Sequence, residues 1–204
     1  DSSVAGKLLE DNAVFTFVPE AHKSEHCLEV QLPFLQTLLP YRFKIVPMLI
    51  GGQSAEVTEK VADILRPYFL EPGNLFIFST DLSHYPTYND AVKIDKSTVE
   101  AMCSNSPEKF LDQLKFNNDK SIRNLATSIC GWTSILTLLN ITRGLDSVSY
   151  EPILYQNSGD IPVYGEKTRV VGYQSVAVIN RPCLDDNSFR LSESEKQSLL
   201  TIAR

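Results

Sequence analysis

Residues 43–79, with the sequence FKIVPMLIGGQSAEVTEKVADILRPYFLEPGNLFIFS, decide the fold class. The nearly continuous apolar run at residues 43–50 is typical of a strand that is buried on both faces. Residues 54–69 predict an amphipathic helix with Ser54 as its N-cap, and residues 74–79 predict a second short apolar strand. Because strand, helix and strand alternate, we predict an α/β fold with a mostly parallel or mixed central sheet flanked by helices.

Similar patterns extend in both directions along the chain. Upstream, residues 13–18 are rich in strand formers, and leucines at helical spacing predict a helix within residues 24–39, which Pro33 either kinks or starts. Downstream, the spacing predicts helices at about residues 91–103 and 107–115, a helix that begins near Cys130 and ends at Gly144, and strands at residues 147–156 and 168–179.

The last part of the chain differs in composition. A polar linker at residues 184–190 leads to Ser192 and Glu195, whose spacing forms a capping box at the start of a helix. We therefore predict one domain over residues 1–180. Residues 181–204 are predicted to be a linker and the first helix of a further domain.

The composition excludes several classes of function. The 204 residues carry a formal net charge of −6, and the pI is near 5.1. A general nucleic-acid binder or a protein attached to anionic membranes needs clustered positive charge instead. The longest apolar run, residues 45–50, is too short to span a bilayer. The four cysteines are widely spaced, so we expect reduced thiols and a cytoplasmic protein.

Asp81 and His84 are the first candidate site residues. They follow the predicted strand at residues 74–79, and ligands of α/β sheets bind beyond the carboxyl ends of strands. A general base or a polar pocket wall is expected there. The alternative is that Asp81 caps a turn and that His84 is an ordinary surface residue.

His26 and Cys130 are candidate metal ligands. His26 lies among Glu25, Cys27 and Glu29, and imidazole and thiolate groups both bind borderline metals. Cys130 precedes a predicted helix, whose N-terminus lowers the pKa of a thiol. The alternatives are a solvated helix start for His26 and a small buried residue for Cys130. Glycine-rich phosphate loops, G-x-S-x-G elbows and H-E-x-x-H pairs are absent from the sequence.

Five blocks of this sequence, in order, resemble the signature of the Memo-like family, whose microbial name is AmmeMemoRadiSam system protein B. The blocks are EHCLEVQLPFL at residues 25–35, DLSHY at 81–85, ICG at 129–131, NSGD at 157–160 and RVVGY at 169–173. The resemblance covers about residues 1–180. Residues 191–204 resemble the opening helix of an AMMECR-type domain.

The resemblance implies a fold like that of class III extradiol dioxygenases, which open catechol-type rings at non-haem iron. His26 and Cys130 match two metal ligands of the family. His84 matches the acid/base histidine of the dioxygenases, with Asp81 beside it. A cysteine in place of a carboxylate ligand favours softer metals such as copper or alters iron chemistry, so iron or copper is the expected cofactor.

One departure from the family pattern concerns the start of the chain. The first histidine ligand of the family comes from a G-P-x-H stretch that lies upstream of Asp1, and His22 is not its equivalent. The resemblance therefore implies a fold truncated at the N-terminus, with an uncovered sheet edge or apolar face.

Three hypotheses for the function follow. The first is a metal-binding, redox-related pocket protein of an AmmeMemoRadiSam-type system, with AMMECR-type and radical-SAM proteins as partners and no nucleic acid or membrane. The second is a non-catalytic module that binds a peptide or small ligand on a dioxygenase-like fold. The third is an active ring-opening dioxygenase.

Overall fold

The structure is a computed structural model, and it describes residues 1–11, 14–23, 25–52, 54–163 and 165–181. The predicted linker and tail helix after residue 181 lie outside these residues. The described elements, in chain order, are α1 (Ser2–Asp11), α2 (Leu32–Leu38), α3 (Ala55–Leu70), α4 (Tyr88–Cys103), α5 (Pro107–Asp119), α6 (Trp132–Thr142), β1 (Val148–Asn157) and β2 (Gly172–Asn180), with short 3-10 turns at Pro19–His22, Glu29–Gln31 and Ser158–Asp160.

The two strands form an antiparallel pair. β1 and β2 are aligned from Val148 opposite Asn180 to Asn157 opposite Gly172. The register shifts between Pro152 and Leu154, and a proline favours such an irregularity because it has no N–H to donate to the ladder. The two strands predicted at residues 147–156 and 168–179 are thus confirmed, although the second begins later than predicted.

The mostly parallel sheet is not confirmed. Among the described residues the sheet has two strands, and residues 43–50 and 74–79 have neither regular secondary structure nor a strand partner. An apolar run becomes a strand only when a neighbour accepts its backbone hydrogen bonds. Several apolar side chains of these segments are consequently exposed, among them Ile45, Leu75 and Ile77. Residues 14–18 are likewise not a strand.

The helix predictions are confirmed more fully. α3, α4 and α5 overlap the predicted helices, and α6 begins two residues after Cys130. Within residues 25–39 the regular helix is α2, with Pro33 in its first turn, so the proline starts the helix and does not kink it. Ser54 precedes α3, but its side chain makes no capping hydrogen bond there.

α6 connects the two apolar clusters of the core. One of its faces packs with α4, α5 and β1, where Phe110, Leu136 and Leu139 are fully buried or nearly so. The other face contributes Ile141 to a cluster with α1 and α3. Because nine of its eleven residues are buried, α6 is the central helix of the described structure. No helix in the described ranges is long and apolar enough to cross a membrane.

Candidate metal centre

The candidate site is built on residues 80–86, which we call the site loop. On one side the loop pairs with the residues that lead into β2: Leu82 N–H donates to the Gly172 carbonyl over 2.9 Å, and Tyr85 N–H donates to the Val170 carbonyl over 2.7 Å. On the other side, His84 N–H donates to the Thr127 carbonyl over 3.0 Å. The backbone of His84 is therefore held from both sides.

Cys130 is joined to the same loop just before α6. Its N–H donates to the Asp81 carbonyl over 3.2 Å, and its Sγ lies 3.4 Å from Thr80 Oγ1. The next residue, Gly131, donates its N–H to Thr80 Oγ1 over 2.7 Å. The thiol of Cys130 is exposed. These contacts bring the start of α6 against the site loop.

Asp81, His84 and Cys130 form one cluster. One ligand atom from each of the three side chains lies within 4.8 Å of the others. Asp81 Oδ2 is 3.5 Å from His84 Nε2, and Nε2 is buried without a hydrogen-bond partner among the described residues. The two side chains therefore face each other without a formed hydrogen bond, and this ring nitrogen is left to accept or donate.

The residues of this cluster fit a transition metal. A thiolate, an imidazole and a carboxylate are the three donor types that protein sites use for zinc, iron and copper. A buried ring nitrogen without a partner is costly, and a bound cation would satisfy it. Asp81 and Cys130 are open to solvent, so an ion has a path to the cluster.

His26 is not a member of this cluster. Its side chain is 75% exposed, and its Nδ1 lies 2.9 Å from Glu29 Oε1 on the same turn. The segment that carries it does approach the site, because Gln31 Nε2 donates to Ser79 Oγ over 3.1 Å. Ser79 directly precedes the site loop. The assignment of His26 as a metal ligand stays a prediction.

Cys27 lies in the same approaching segment. Burial, and then the carboxylate of Glu25, raise the pKa of the Cys27 thiol to about 11, and the charge of Cys130 adds to this shift. The Cys27 N–H also donates to Glu25 Oε1 over 2.8 Å. At neutral pH, Cys27 is therefore a protonated thiol.

Two residues behind the site loop, Asp95 and Tyr155, were not identified from the sequence. Asp95 on α4 is fully buried, and its carboxylate accepts hydrogen bonds from Ser83 N–H and from the Tyr155 hydroxyl. Burial raises the pKa of Asp95, while these hydrogen bonds and the charge of His84 lower it in part. The available signal was the spacing of Asp95 with the inward-facing residues Ala91, Ile94 and Thr98 of its helix.

Together, the elements define a class: a mixed α/β protein with a candidate metal centre between a loop that follows a short apolar segment and the start of a buried helix. The comparison with known families identifies the particular family. Residues 1–177 match the family model described as Memo-like protein. The chain belongs to the Memo-like family.

Individual relatives agree with this assignment. The chain is 33% identical over 159 residues to a MEMO1 family protein of Methanosarcina mazei, with 77% of this chain and 56% of the relative aligned. It is 29% identical over 178 residues to a MEMO1 family protein of Nitrosopumilus maritimus (87% and 61%) and 32% identical over 180 residues to one of Aeropyrum pernix (87% and 60%). The aligned part of this chain thus spans little more than half the length of these relatives.

Proposed function

We propose that this chain is a metal-binding, redox-related pocket protein of an AmmeMemoRadiSam-type system. The observation that carries the proposal is the convergence of Asp81, His84 and Cys130 within 4.8 Å of one another, although Cys130 is distant in sequence from the other two. Such a convergence of three donor types at a loop and a helix start is typical of metal sites. The substrate is left open by this proposal.

Iron or copper is the metal that we propose. A thiolate ligand favours softer metals, and an imidazole suits both iron and copper. The bound metal would supply one-electron chemistry. The residues of the chain would hold it: His84 Nε2 and Asp81 Oδ2 lie 3.5 Å apart, close enough for both side chains to bind one ion together with Cys130.

The donor set is the part of the proposal that can be tested first. After anaerobic loading with Fe(II) or Cu(I) and removal of excess metal, the whole chain should retain stoichiometric metal. His84→Ala should lose it, because the cluster loses its imidazole. His22→Ala is the matched control, since His22 is an exposed histidine in the 3-10 turn Pro19–His22.

His26→Ala decides between the two ligand assignments. If His26→Ala retains metal and His84→Ala does not, Asp81, His84 and Cys130 are the donor set. If His26→Ala loses metal and His84→Ala keeps it, His26 and Cys130 are ligands, and His84 with Asp81 is left as the acid/base pair that the family resemblance implies. Absence of retained metal in the unmodified chain contradicts the proposal.

The proposal also covers two apolar segments outside the site. The relatives are longer than their aligned part, and residues 43–50 and 74–79 have no regular secondary structure and carry exposed apolar side chains. We propose that these segments are strands of a dioxygenase-like, mostly parallel sheet in a protein of the relatives' length.

AMMECR-type and radical-SAM proteins are the proposed partners. The cytoplasm is the proposed location, where thiols such as those of Cys27, Cys103 and Cys130 stay reduced.

A second candidate is a binding module without chemistry. It is favoured by the contact between Asp81 Oδ2 and His84 Nε2 at 3.5 Å, because the two side chains face each other at this distance without any metal. In that case a peptide or small ligand would bind at the site formed by Asp81, His84 and Cys130. Oxygen consumption by the metal-loaded protein with a catechol or another aromatic compound would contradict this candidate.

A further inference from the structure

A buried carboxylate lies behind the site loop. Asp95 is fully buried on α4, and it forms no ion pair with another described residue. Burial of a carboxylate costs free energy unless hydrogen bonds compensate for the loss of water. The partners of those hydrogen bonds therefore indicate what the side chain does.

The two oxygens of Asp95 bind two different parts of the protein. Oδ1 accepts the N–H of Ser83 over 2.9 Å, and Oδ2 accepts the hydroxyl of Tyr155, on β1, over 2.7 Å. Tyr155 is itself held, because the Asn157 side chain donates to its hydroxyl over 3.4 Å. Asp95 thus fastens the site loop to a rigid strand.

The start of β2 leaves room for this carboxylate. A Cβ at Gly172 would overlap Oδ2 of Asp95, so the side chain occupies the space that any residue larger than glycine would need. Gly172 also pairs with the site loop, since its N–H donates to the Ser83 carbonyl over 3.0 Å. The N–H and the carbonyl of Ser83 are both fixed, the first by Asp95 and the second by Gly172.

Ser83 lies between Asp81 and His84 in the sequence. Both of these side chains project from the stretch of backbone that Asp95 and Gly172 hold, and their ligand atoms are 3.5 Å apart. A shift of the peptide at Ser83 would move the two donors relative to each other and to Cys130. Metal affinity depends on donors that are already in place before the ion binds.

We infer that Asp95 is a positioning residue for the metal centre, whose carboxylate fixes the backbone between Asp81 and His84 so that their donor atoms stay in register with Cys130. The inference rests on the proposed metal-binding function. Loss of such outer support weakens metal affinity by about 10–100-fold in known metal sites. Asp95 would not contact the metal itself.

The first test is a Co(II) titration of the whole chain. Asp95→Ala removes both hydrogen bonds and should weaken cobalt binding at least about tenfold. Asp95→Asn keeps an oxygen for Ser83 N–H and places an amide against the Tyr155 hydroxyl. Its cobalt affinity should therefore be close to that of the unmodified chain. Binding by Asp95→Ala that equals the unmodified chain, or by Asp95→Asn that is as weak as Asp95→Ala, would overturn the inference.

A matched control separates positioning from general stability. Thr98→Val, on the same helix, removes a buried hydroxyl that bonds to Ile94 and Asn117 and does not touch the site loop. It should lower stability and leave cobalt affinity unchanged; an equal loss of affinity contradicts positioning. If Asp95→Ala does not fold, Tyr155→Phe takes its place as the test of positioning. This variant deletes one hydrogen-bond partner of Asp95, so it should weaken cobalt binding by a smaller factor. Unchanged cobalt affinity in Tyr155→Phe would count against the inference.

A measurement without metal distinguishes this inference from the proposed function. In the metal-free protein, the backbone amide NMR signals of Asp81, Ser83 and His84 should broaden or multiply in Asp95→Ala and stay sharp in Thr98→Val. Sharp signals in Asp95→Ala would overturn the inference whatever the metal data show. If the unmodified chain binds no cobalt but these signals change as expected, the proposed metal function fails while the positioning of the loop by Asp95 stands.

Discussion

Gly131 lies so close to Thr80 that no side chain fits between them. A Cβ at position 131 would be 2.6 Å from Thr80 Oγ1 and 2.8 Å from Thr80 Cβ. The same Oγ1 accepts the Gly131 N–H and touches the thiol of Cys130. The sequence step Cys130-Gly131 is therefore explained by packing, since glycine lets the helix start approach the site loop and brings the thiol to Asp81 and His84.

Gly131→Ala should consequently disturb both stability and the site. The added methyl group forces Thr80 or the start of α6 to move, at a cost of about 1–3 kcal/mol in the free energy of unfolding. Metal retention should fall as well, because Cys130 moves with the helix. Urea unfolding and metal retention measure the two effects. Gly6→Ala is the control, since nothing lies within 4 Å of a Cβ there; an equal loss in both variants would contradict the packing argument.

Asp95 should make stability depend on pH. Burial raises the pKa of its carboxyl group, so the folded protein holds the Asp95 proton more tightly than the unfolded chain does. The free energy of unfolding should therefore fall as the pH rises from the ordinary pKa of aspartic acid to the raised pKa, relative to Asp95→Asn. Urea unfolding of both proteins over a pH series measures the difference, and a difference that is flat or rises with pH would refute this sign.

The sequence predicts the site residues unequally. Asp81, His84 and Cys130 were identified because a strand end and a helix start are positions where polar groups gather, and the structure brings these three together. Asp95 and Tyr155 were missed because a single acid on an amphipathic helix looks like any other polar residue until its surroundings are known. The burial of such a residue depends on tertiary contacts, which no local pattern encodes.

At the scale of elements, helices were predicted better than strands. The 3.6-residue period of α3, α4 and α5 is a property of each segment alone, and these helices form where it predicts them. The apolar runs at residues 43–50 and 74–79 lack a period that fixes their structure, and they have no strand partner among the described residues. Strand formation depends on neighbours, whereas helix hydrogen bonds are local.

α5 provides a test of which helix face builds the core. Phe110 is fully buried in the cluster below α6, whereas Phe116 on the same helix is 56% exposed and lies under the ammonium group of Lys120. Phe110→Ala should lower the free energy of unfolding by about 3–5 kcal/mol. Phe116→Ala should cost less than about 1 kcal/mol. Chemical denaturation compares the two variants, and similar losses would show that the packing face of α5 is assigned wrongly.

At the scale of the whole molecule, the core and the candidate site meet at α6. The helix joins the two apolar clusters of the described structure, and the site loop and Cys130 lie at its N-terminal end. A rigid central helix is a suitable support for a metal ligand, because donors must be held within narrow tolerances. The fold thus accounts for how the side chain of Cys130 meets those of Asp81 and His84, which lie far from it in the sequence.

A Co(II) absorption titration of the whole chain tests the metal centre at Asp81, His84 and Cys130 most directly, because a thiolate bound to cobalt gives a charge-transfer band that free cobalt lacks. We expect this band to appear and to saturate at one equivalent of cobalt. Cys130→Ser should abolish the band, whereas Cys103→Ser, at a cysteine of α4 outside the cluster, should leave it intact. Absence of the band in the unmodified chain, or its persistence in Cys130→Ser, would contradict a metal centre at Asp81, His84 and Cys130.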